Sequence, residues 1–383
     1  MTGMLSGKTT ARLAQSVYAL RLNGNVQAAL AASGEGTALF DMFHVDDTAK
    51  RVIGRSGAVY RPATGFGMLL RRKGAANQGE YALAIRGTEF SSVSDWLSNA
   101  NVTLDRGPGG WPVHAGFNRV YRSMSRAVNE ALAGKNITTL HICGHSLGGA
   151  LATMFAAEFA FNNKADVKLA TFGAPRPAPL FFCHSLARKL GDANMRRVYT
   201  LADPVPMVPL WPFSHPPGAE YAVDANFGSI TKAAHSMDEV YLKRMPDGGW
   251  PVPDRTPNYR NVDYWLQRAN SASGPFSAIG YWALGKALQG ILALAEAALG
   301  IVFIAGATLL DTLAEILVNA ARVAALVGDL LLRFVRAAMH FLGQVATGVR
   351  SAAEITAWFL RSILNRIYSG VASAARGAIN RFS

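Results

Sequence analysis

A single serine stands at the centre of a short glycine-rich motif. Residues 144–149 read Gly-His-Ser-Leu-Gly-Gly, after the apolar run 138–143 and before the helix-forming stretch 150–161. This order predicts a strand, a sharp turn and a helix, with Ser146 at the apex, where small neighbours relieve the crowding of the turn. Ser146 is therefore the candidate nucleophile. The alternative interpretation is a tight turn that carries an ordinary serine.

A serine hydroxyl is a poor nucleophile and needs a histidine base, which in turn needs a carboxylate to hold its tautomer. Asp203 follows the predicted strand 197–201, and the prolines after it end that strand where a loop must present the carboxylate. His235 opens a helix-like segment further along the chain and is the predicted base, with His215 as the alternative. The remaining histidines are not assigned to catalysis, and His145 is predicted to be structural; they are His44, His114, His141, His145, His184 and His340.

Acyl transfer also needs two hydrogen-bond donors for the oxyanion, and losing one such donor can cost roughly 3 kcal/mol. The backbone N–H of Leu147, directly after the serine, is the first candidate. The second is Thr88, which follows Arg86 and Gly87 after a predicted strand and can donate from backbone and side chain. Its alternative role is to cap a turn.

Strands alternating with helices favour an α/β fold with a mostly parallel, covered sheet. Hydrophobic periodicity predicts an N-terminal helix at 12–25 and three further helices at 149–162, 180–190 and 233–244. It also predicts four strands, at 67–71, 81–85, 167–172 and 197–201. The proline-rich segment 248–275 disfavours regular structure. The predicted organisation is a hydrolase-like domain over 1–250, a linker over 251–279 and a helical tail over 280–383.

Composition points to a basic protein with an ample core. The chain has 383 residues, a net charge of +13, 50% hydrophobic residues and a mean hydropathy of +0.15. Such a charge favours anionic partners, unless it serves solubility alone. A membrane is preferred to nucleic acid, because no basic run with interleaved aromatic residues is present. Cys143 and Cys183 lie in apolar segments and predict buried free thiols.

No continuous apolar core of a signal peptide can be drawn in residues 1–24. The sequence therefore predicts a cytoplasmic or membrane-associated protein, or export by a route that does not use a signal peptide.

The tail is rich in Ala, Leu, Ile and Val. Residues 291–310 are a candidate transmembrane helix by length, although Glu296, Gly300 and Gly306 weaken that prediction. Apolar residues then recur at three- and four-residue steps, which predicts amphipathic helices. Their arginines favour a surface that lies on an anionic membrane, with packing on one another or on the catalytic domain as the alternative; they are Arg333, Arg336, Arg350, Arg361, Arg366, Arg376 and Arg381.

Several motifs together resemble the class 3 lipase family, typified by fungal triacylglycerol lipases. The likeness covers roughly residues 55–245, and the matching segments follow the family order. They are Arg86-Gly87-Thr88 with Asp95-Trp96, Val113-His114-Ala115-Gly116-Phe117, residues 144–151, Thr171-Phe172-Gly173-Ala174-Pro175-Arg176, Asp203-Pro204-Val205-Pro206, and His235 with Tyr241.

The resemblance implies an α/β-hydrolase fold with Ser146, Asp203 and His235 as catalytic residues and an oxyanion hole from Thr88 and Leu147. It implies no metal and no organic cofactor. The segment 90–102 would correspond to a lid, with Asn99 as a partner of the Thr88 hydroxyl; a short amphipathic helix packed on the core is the alternative. The apolar, lipid-binding face of the lid would consist of Phe90, Val93, Trp96 and Leu97.

The chain departs from the fungal members in its tail and in the lack of a visible signal peptide or disulfide pattern, which favours a bacterial lineage. The tail also looks similar to that of antibacterial lipase effectors delivered by type VI secretion. The leading hypothesis is a lipase or phospholipase A that cleaves glycerolipid esters at an interface, with phospholipid slightly preferred because of the basic charge. The rival is a membrane-inserting or partner-binding protein in which the tail is the active part.

Overall fold

The computed structural model describes residues 3–21, 25–32, 36–45, 50–55, 63–87, 103–209, 213–218, 220–224, 227–256, 258–272, 276–300, 309–344 and 349–381. Its strands are β1 Phe43–His44, β2 Lys50–Arg55, β3 Ala63–Arg72, β4 Glu80–Ile85, β5 Leu104–Arg106, β6 Pro112–His114, β7 Thr139–His145, β8 Asp166–Phe172, β9 Ala178–Pro179, β10 Met195–Tyr199, β11 Phe213–Ser214 and β12 Glu220–Ala222. Its α-helices are α1 Gly7–Ser16, α2 Val26–Ala32, α3 Gly36–Met42, α4 Ala115–Leu132, α5 Leu147–Phe161, α6 Leu180–Leu190, α7 Val262–Asn270, α8 Ala278–Leu299, α9 Leu309–Val323, α10 Ala325–Phe341 and α11 Ala357–Arg381.

A mixed sheet of eight strands forms the centre of the molecule, in the order β1-β3-β4-β7-β8-β10-β12 with β2 also on β3. The pairs from β4 to β12 are parallel, whereas β1, β2 and β4 pair with β3 antiparallel. Both faces are covered by helices. This is the topology of an α/β-hydrolase fold, as the sequence predicts.

Alternating side chains of the strands belong to two separate hydrophobic cores, because successive residues of a strand point to opposite faces of the sheet. In β4, Leu83 and Ile85 join the core under α4 and α5, whereas Ala82 and Ala84 join the core under the N-terminal helices. Cys143 lies in the second core and Cys183 in the first, and both are buried free thiols, as predicted.

Two predicted helices have different bounds in the structure. The N-terminal helix begins at Gly7, where Ser6 Oγ accepts from the Thr9 N–H at 3.2 Å, and after Ser16 it tightens into a 3₁₀ turn at 17–21. The predicted helix 233–244 is a 3₁₀ turn, Lys232–His235, and a π-helical segment, Met237–Leu242. Ser236 separates them because its extended backbone and its side chain cap the second segment.

The segment 248–275 is not wholly irregular, which corrects the prediction from its prolines. Helix α7 begins inside it, where Asn261 Oδ1 accepts from the Tyr264 N–H at 3.2 Å. Trp265 and Leu266 lie on its buried face. The cap and the apolar face stabilise the helix between the proline-containing stretches. The proposed domain boundaries stay predictions.

The tail helices pack on the hydrolase region, a name used for the described part of residues 1–250. Side chains of α7 to α11 belong to the same hydrophobic core as α4 and α5. At the junction, the Trp282 indole N–H donates to the Leu201 carbonyl oxygen at 3.1 Å, and its ring lies 4.8 Å from that of Tyr199. Of the two alternatives for the tail, these contacts favour packing for the part of the tail that the structure describes.

The predicted transmembrane helix 291–310 is not one continuous helix. Helix α8 ends at Leu299, and Gly300 takes a left-handed conformation (φ 65°) that stops it. Within the described residues, α8 is the one helix long and apolar enough to cross a membrane, with a hydropathy of 1.2, and 67% of that window is buried in the protein. Burial of this kind is also what a core helix of a globular protein shows.

Candidate active site

The serine at 146 occupies a sharp turn between β7 and α5. Its backbone is in a strained conformation (φ 57°, ψ −135°) that few side chains adopt. The neighbouring glycines allow this turn, because a Cβ at Gly144 would collide with the Gly148 carbonyl, and one at Gly148 with the Ile85 carbonyl. The turn directs Ser146 Oγ toward the loop that carries His235.

Ser146, His235 and Asp203 form a continuous hydrogen-bonded chain. Ser146 Oγ lies 2.8 Å from His235 Nε2, and His235 Nδ1 lies 2.8 Å from Asp203 Oδ2. Because an ionised carboxylate can only accept, His235 carries its proton on Nδ1 and accepts from the serine hydroxyl at Nε2. The structure thus brings together three side chains that lie up to 89 positions apart in the sequence.

Asp203 is fully buried and has a partner for each carboxylate oxygen. Oδ1 accepts from the Val205 N–H at 2.9 Å, and Oδ2 accepts from the Tyr241 hydroxyl at 2.5 Å in addition to His235. Burial and the Asp203 charge raise the pKa of Tyr241 well above its ordinary value, so Tyr241 stays a donor. Gly173 leaves room for this pair, since a side chain there would contact both. The sequence does not predict this hydrogen bond from Tyr241 to Asp203.

A second histidine supports the base. His145 Nε2 donates to the His235 carbonyl oxygen at 2.9 Å, and His145 Nδ1 accepts from the Tyr18 hydroxyl at 2.8 Å. Burial, and then the proximity of His235, lower the pKa of His145 well below its ordinary value. His145 is therefore neutral and in contact with the loop of the base, which agrees with the structural role expected for it. Tyr18 had no signal in the sequence, because it lies 127 positions away.

The predicted oxyanion donors are only partly described. Leu147 is the first residue of α5, where backbone N–H groups have no partner within the helix. Gly87 passes close to the serine, since a Cβ there would lie 3.0 Å from that of Ser146. Thr88 follows Gly87 but lies outside the described residues, as do Asn99 and the predicted lid residues Phe90, Val93, Trp96 and Leu97. Their roles stay predictions.

The other histidines have different partners. His215 Nε2 lies 2.9 Å from the Pro206 carbonyl oxygen, so it bonds to backbone and not to the Asp203 carboxylate. His114 caps α4 by accepting from the Gly116 N–H at 3.0 Å, and His141 lies 2.6 Å from Glu80. The geometry therefore favours His235 over His215 as base. Among the described residues, no three His, Cys, Asp or Glu side chains are grouped so that they could hold a metal ion.

A strained serine turn, an imidazole and a buried carboxylate beside a mostly parallel sheet are the arrangement that serine hydrolases use. Residues 82–213 match the family described as lipase (class 3). Over these residues the chain is similar to that family.

One curated relative is the secreted mono- and diacylglycerol lipase 1 of Fusarium solani, which is 31% identical over 160 residues. The match covers 40% of this chain and 46% of the relative, so the chain spans about half the length of that protein.

Solved structures of fungal lipases are also similar. The mono- and diacylglycerol lipase of Aspergillus oryzae is 20% identical, with a TM-score of 0.45 over 60% of this chain and 83% of the other. A mutant form of the Penicillium cyclopium protein MDLA is 18% identical, with a TM-score of 0.44 over 72% of this chain and 96% of the other.

Proposed function

We propose that the protein is a serine carboxylic ester hydrolase that cleaves acyl esters of glycerolipids through an acyl-enzyme intermediate. The observation that carries this proposal is the unbroken chain from Ser146 Oγ through His235 to Asp203, with both contacts at 2.8 Å. The match of residues 82–213 to the class 3 lipase family supports it.

In the first half-reaction, His235 Nε2 takes the proton of Ser146 as its oxygen attacks the ester carbonyl carbon. Asp203 holds the imidazole and stabilises the imidazolium that forms. The Leu147 N–H stabilises the oxyanion together with the predicted donor Thr88. When the tetrahedral intermediate collapses, His235 donates its proton to the departing glycerol oxygen, and the acyl group stays on Ser146.

In the second half-reaction, a water molecule attacks the acyl carbon while His235 Nε2 accepts its proton. A second tetrahedral intermediate then releases the fatty acid and restores the serine hydroxyl. The hydrogen bonds of Tyr241 and Val205 to Asp203 fix the carboxylate through both steps.

The substrate class we propose is acylglycerol or glycerophospholipid. The name of the Fusarium relative supports acylglycerols, and the net charge of +13 supports approach to a phospholipid surface, since cationic proteins concentrate at anionic membranes. The lid, with Phe90, Val93, Trp96 and Leu97, would expose its apolar face there.

We place contact with the lipid surface in the tail. Trp358 is 76% exposed at the start of the basic helix α11, and Val323 and Leu326 are exposed at the junction of α9 and α10. Exposed tryptophan and arginine side chains are typical of segments that lie at a membrane interface. This placement favours a protein that is associated with a membrane.

Ser146→Ala tests the activity. We expect release of fatty acid from triacylglycerol, diacylglycerol and phosphatidylcholine, assayed side by side, to fall by several orders of magnitude, whereas the protein stays folded. Ser185→Ala is the matched control and should keep full activity, because Ser185 is a partly exposed serine of α6 whose hydroxyl accepts from Arg188 at 3.4 Å. Equal hydrolysis by the two variants would refute the proposal.

The same variant separates the proposed enzyme from its rival. Membrane disruption that persists undiminished in Ser146→Ala would favour a tail that acts by itself. Loss of disruption together with loss of fatty acid release would assign the effect to hydrolysis.

A further inference from the structure

A cationic cleft lies where the hydrolase region meets α8. Its volume is about 70 Å³, which is roughly the space of several water molecules, because one water needs about 10–15 Å³ by the same measure. Arg176, Arg197 and Glu220 line it from the hydrolase region, and Lys286 and Gln289 line it from α8. None of the three catalytic candidates lines it.

Arg197 has more donors than partners. Its Nη2 bonds Glu220 Oε2 at 2.9 Å, and its guanidinium stacks on the Tyr199 ring at 4.2 Å. Within the described residues, its Nε and Nη1 have no hydrogen-bond partner, although the side chain is only 9% exposed. Buried donors of this kind are usually satisfied, so these two N–H groups of Arg197 are available to an acceptor in the cleft.

Positive charge exceeds negative charge in the lining. Lys286 Nζ lies 4.0 Å from the same Glu220 oxygen that Arg197 binds, and Arg176 adds a third cation. Burial lowers the pKa of Lys286. The charge of Glu220 acts to raise this pKa, and the charges of Arg197 and Arg176 lower it further. A single lining carboxylate therefore faces three cations.

Two further groups beside the cleft do not reverse this excess of positive charge. Asp254 Oδ2 accepts from the Tyr199 and Thr256 hydroxyls at 2.5 and 3.0 Å, and its charge acts against the effect of burial on the pKa of Lys286. The three cations still outnumber the carboxylates of Glu220 and Asp254. Burial and the neighbouring cations, Arg197 first, lower the pKa of His215 well below its ordinary value, so this imidazole is neutral.

The position of Lys286 is a separate indication. It is the one cation of the apolar helix Ala278–Leu299, and it lines the cleft with a side chain that is 21% exposed. A lysine on the packed face of such a helix is unfavourable unless it meets a negative charge.

We propose that this cleft binds a phosphate group. Two guanidinium groups and an ammonium suit a tetrahedral oxyanion, since arginine offers a fixed fork of donors and lysine a compact charge. The phosphate belongs either to a soluble phosphomonoester or inorganic phosphate, or to a lipid headgroup. Because the lining comes from both regions of the chain, a bound phosphate would link α8 to the hydrolase region. This inference does not depend on ester hydrolysis.

Binding is tested with inorganic phosphate by calorimetry and by the shift of the thermal unfolding midpoint. We expect phosphate to bind the full-length protein and to raise its unfolding temperature, because a ligand that binds only the folded state stabilises it. Lys286→Gln should weaken phosphate binding by about tenfold or more. Lys135→Gln, a lysine in the turn between α4 and β7, is the matched control and should bind as the parent does.

Glu220→Gln gives a test in the opposite direction. Removing the one lining carboxylate while keeping its shape should tighten phosphate binding. Absence of binding at about 10 mM phosphate, or equal affinities of Lys286→Gln and Lys135→Gln, would overturn the proposal.

Vesicles distinguish the two sources of phosphate. The Ser146→Ala protein, which should not consume lipid, is mixed with phosphatidylcholine vesicles that contain phosphatidic acid or, at matched surface charge, phosphatidylglycerol. A preference for phosphatidic acid that Lys286→Gln abolishes assigns the site to a headgroup. Loss of inorganic phosphate binding in Lys286→Gln without change in vesicle binding assigns it to a soluble phosphate.

Discussion

The imidazole of His145 donates a hydrogen bond to the backbone carbonyl of His235 at 2.9 Å, and the two rings lie 4.5 Å apart. The residue before the proposed nucleophile therefore holds the loop that carries the proposed base. The Tyr18 hydroxyl donates to His145 Nδ1 at 2.8 Å, so the N-terminal segment reaches the active site through this hydrogen bond.

His145→Ala should lower kcat by roughly 100-fold with little change in KM, because a shift of about 1 Å in the base is enough for such a loss. His340→Ala, an exposed histidine of α10, is the control. The rate at which a fluorophosphonate labels Ser146 should fall in parallel with kcat. Normal labelling in a His145→Ala protein of reduced stability would show that His145 serves packing alone.

Gly148→Ala should prevent the serine turn from forming, because the added methyl would overlap the Ile85 carbonyl on β4. We expect a destabilisation of more than about 3 kcal/mol in urea unfolding, together with loss of activity. Gly228→Ala is the matched change, since a Cβ there meets nothing within 4 Å, and it should be nearly neutral. If Gly148→Ala unfolded at the same urea concentration as the parent, the predicted overlap with the Ile85 carbonyl would be wrong.

The protein should lose stability as the pH falls below about 6.5. Burial lowers the pKa of His114 from 6.5 to about 3, so the unfolded chain binds a proton between these values that the folded state excludes. Stability is thus fully present above pH 6.5 and declines as pH falls toward 3, by about 2 kcal/mol at pH 5 from this histidine alone. Urea unfolding at a series of pH values measures the slope.

His114→Asn isolates this contribution. Asparagine can still accept from the Gly116 N–H as an N-cap, but it does not titrate. Its stability should therefore change less between about pH 7 and pH 5 than that of the parent. An identical acid slope in the two proteins would exclude His114 as a source of the pH dependence.

Trp282→Ala should destabilise the protein by about 3–5 kcal/mol, the usual loss for removing a buried aromatic side chain. The change also leaves the Leu201 carbonyl without its indole donor and Tyr199 without its ring contact. We expect a single unfolding transition at lower urea concentration, because α8 shares a core with the hydrolase region. Separate transitions for tail and hydrolase region would show that the two are independent.

The sequence predicted several strands of the sheet, the serine turn and the three side chains that the structure brings together. Each of these depends on local information: the pattern of apolar residues indicates the strands, glycines around Ser146 allow a tight turn, and prolines after Asp203 end a strand. The predicted strand 197–201 and helix 180–190 match Met195–Tyr199 and Leu180–Leu190 to within two residues. The predicted helix boundaries at 12–25 and 233–244 were wrong, because Ser6 and Ser236 cap helices at positions that the hydrophobic periodicity does not indicate.

Only the tertiary structure decided what supports the triad and what the tail contacts. Tyr18, His145 and Tyr241 act through contacts between residues distant in the chain. His145 and Tyr241 belong to motifs of the sequence, but the motifs do not show what these side chains contact. The apolar face of α8 satisfies the length and composition of a membrane span as well as those of a core helix. Its burial against α7, α9 and α10, with Gly300 ending the helix, depends on contacts between distant elements, and these are a property of the folded chain.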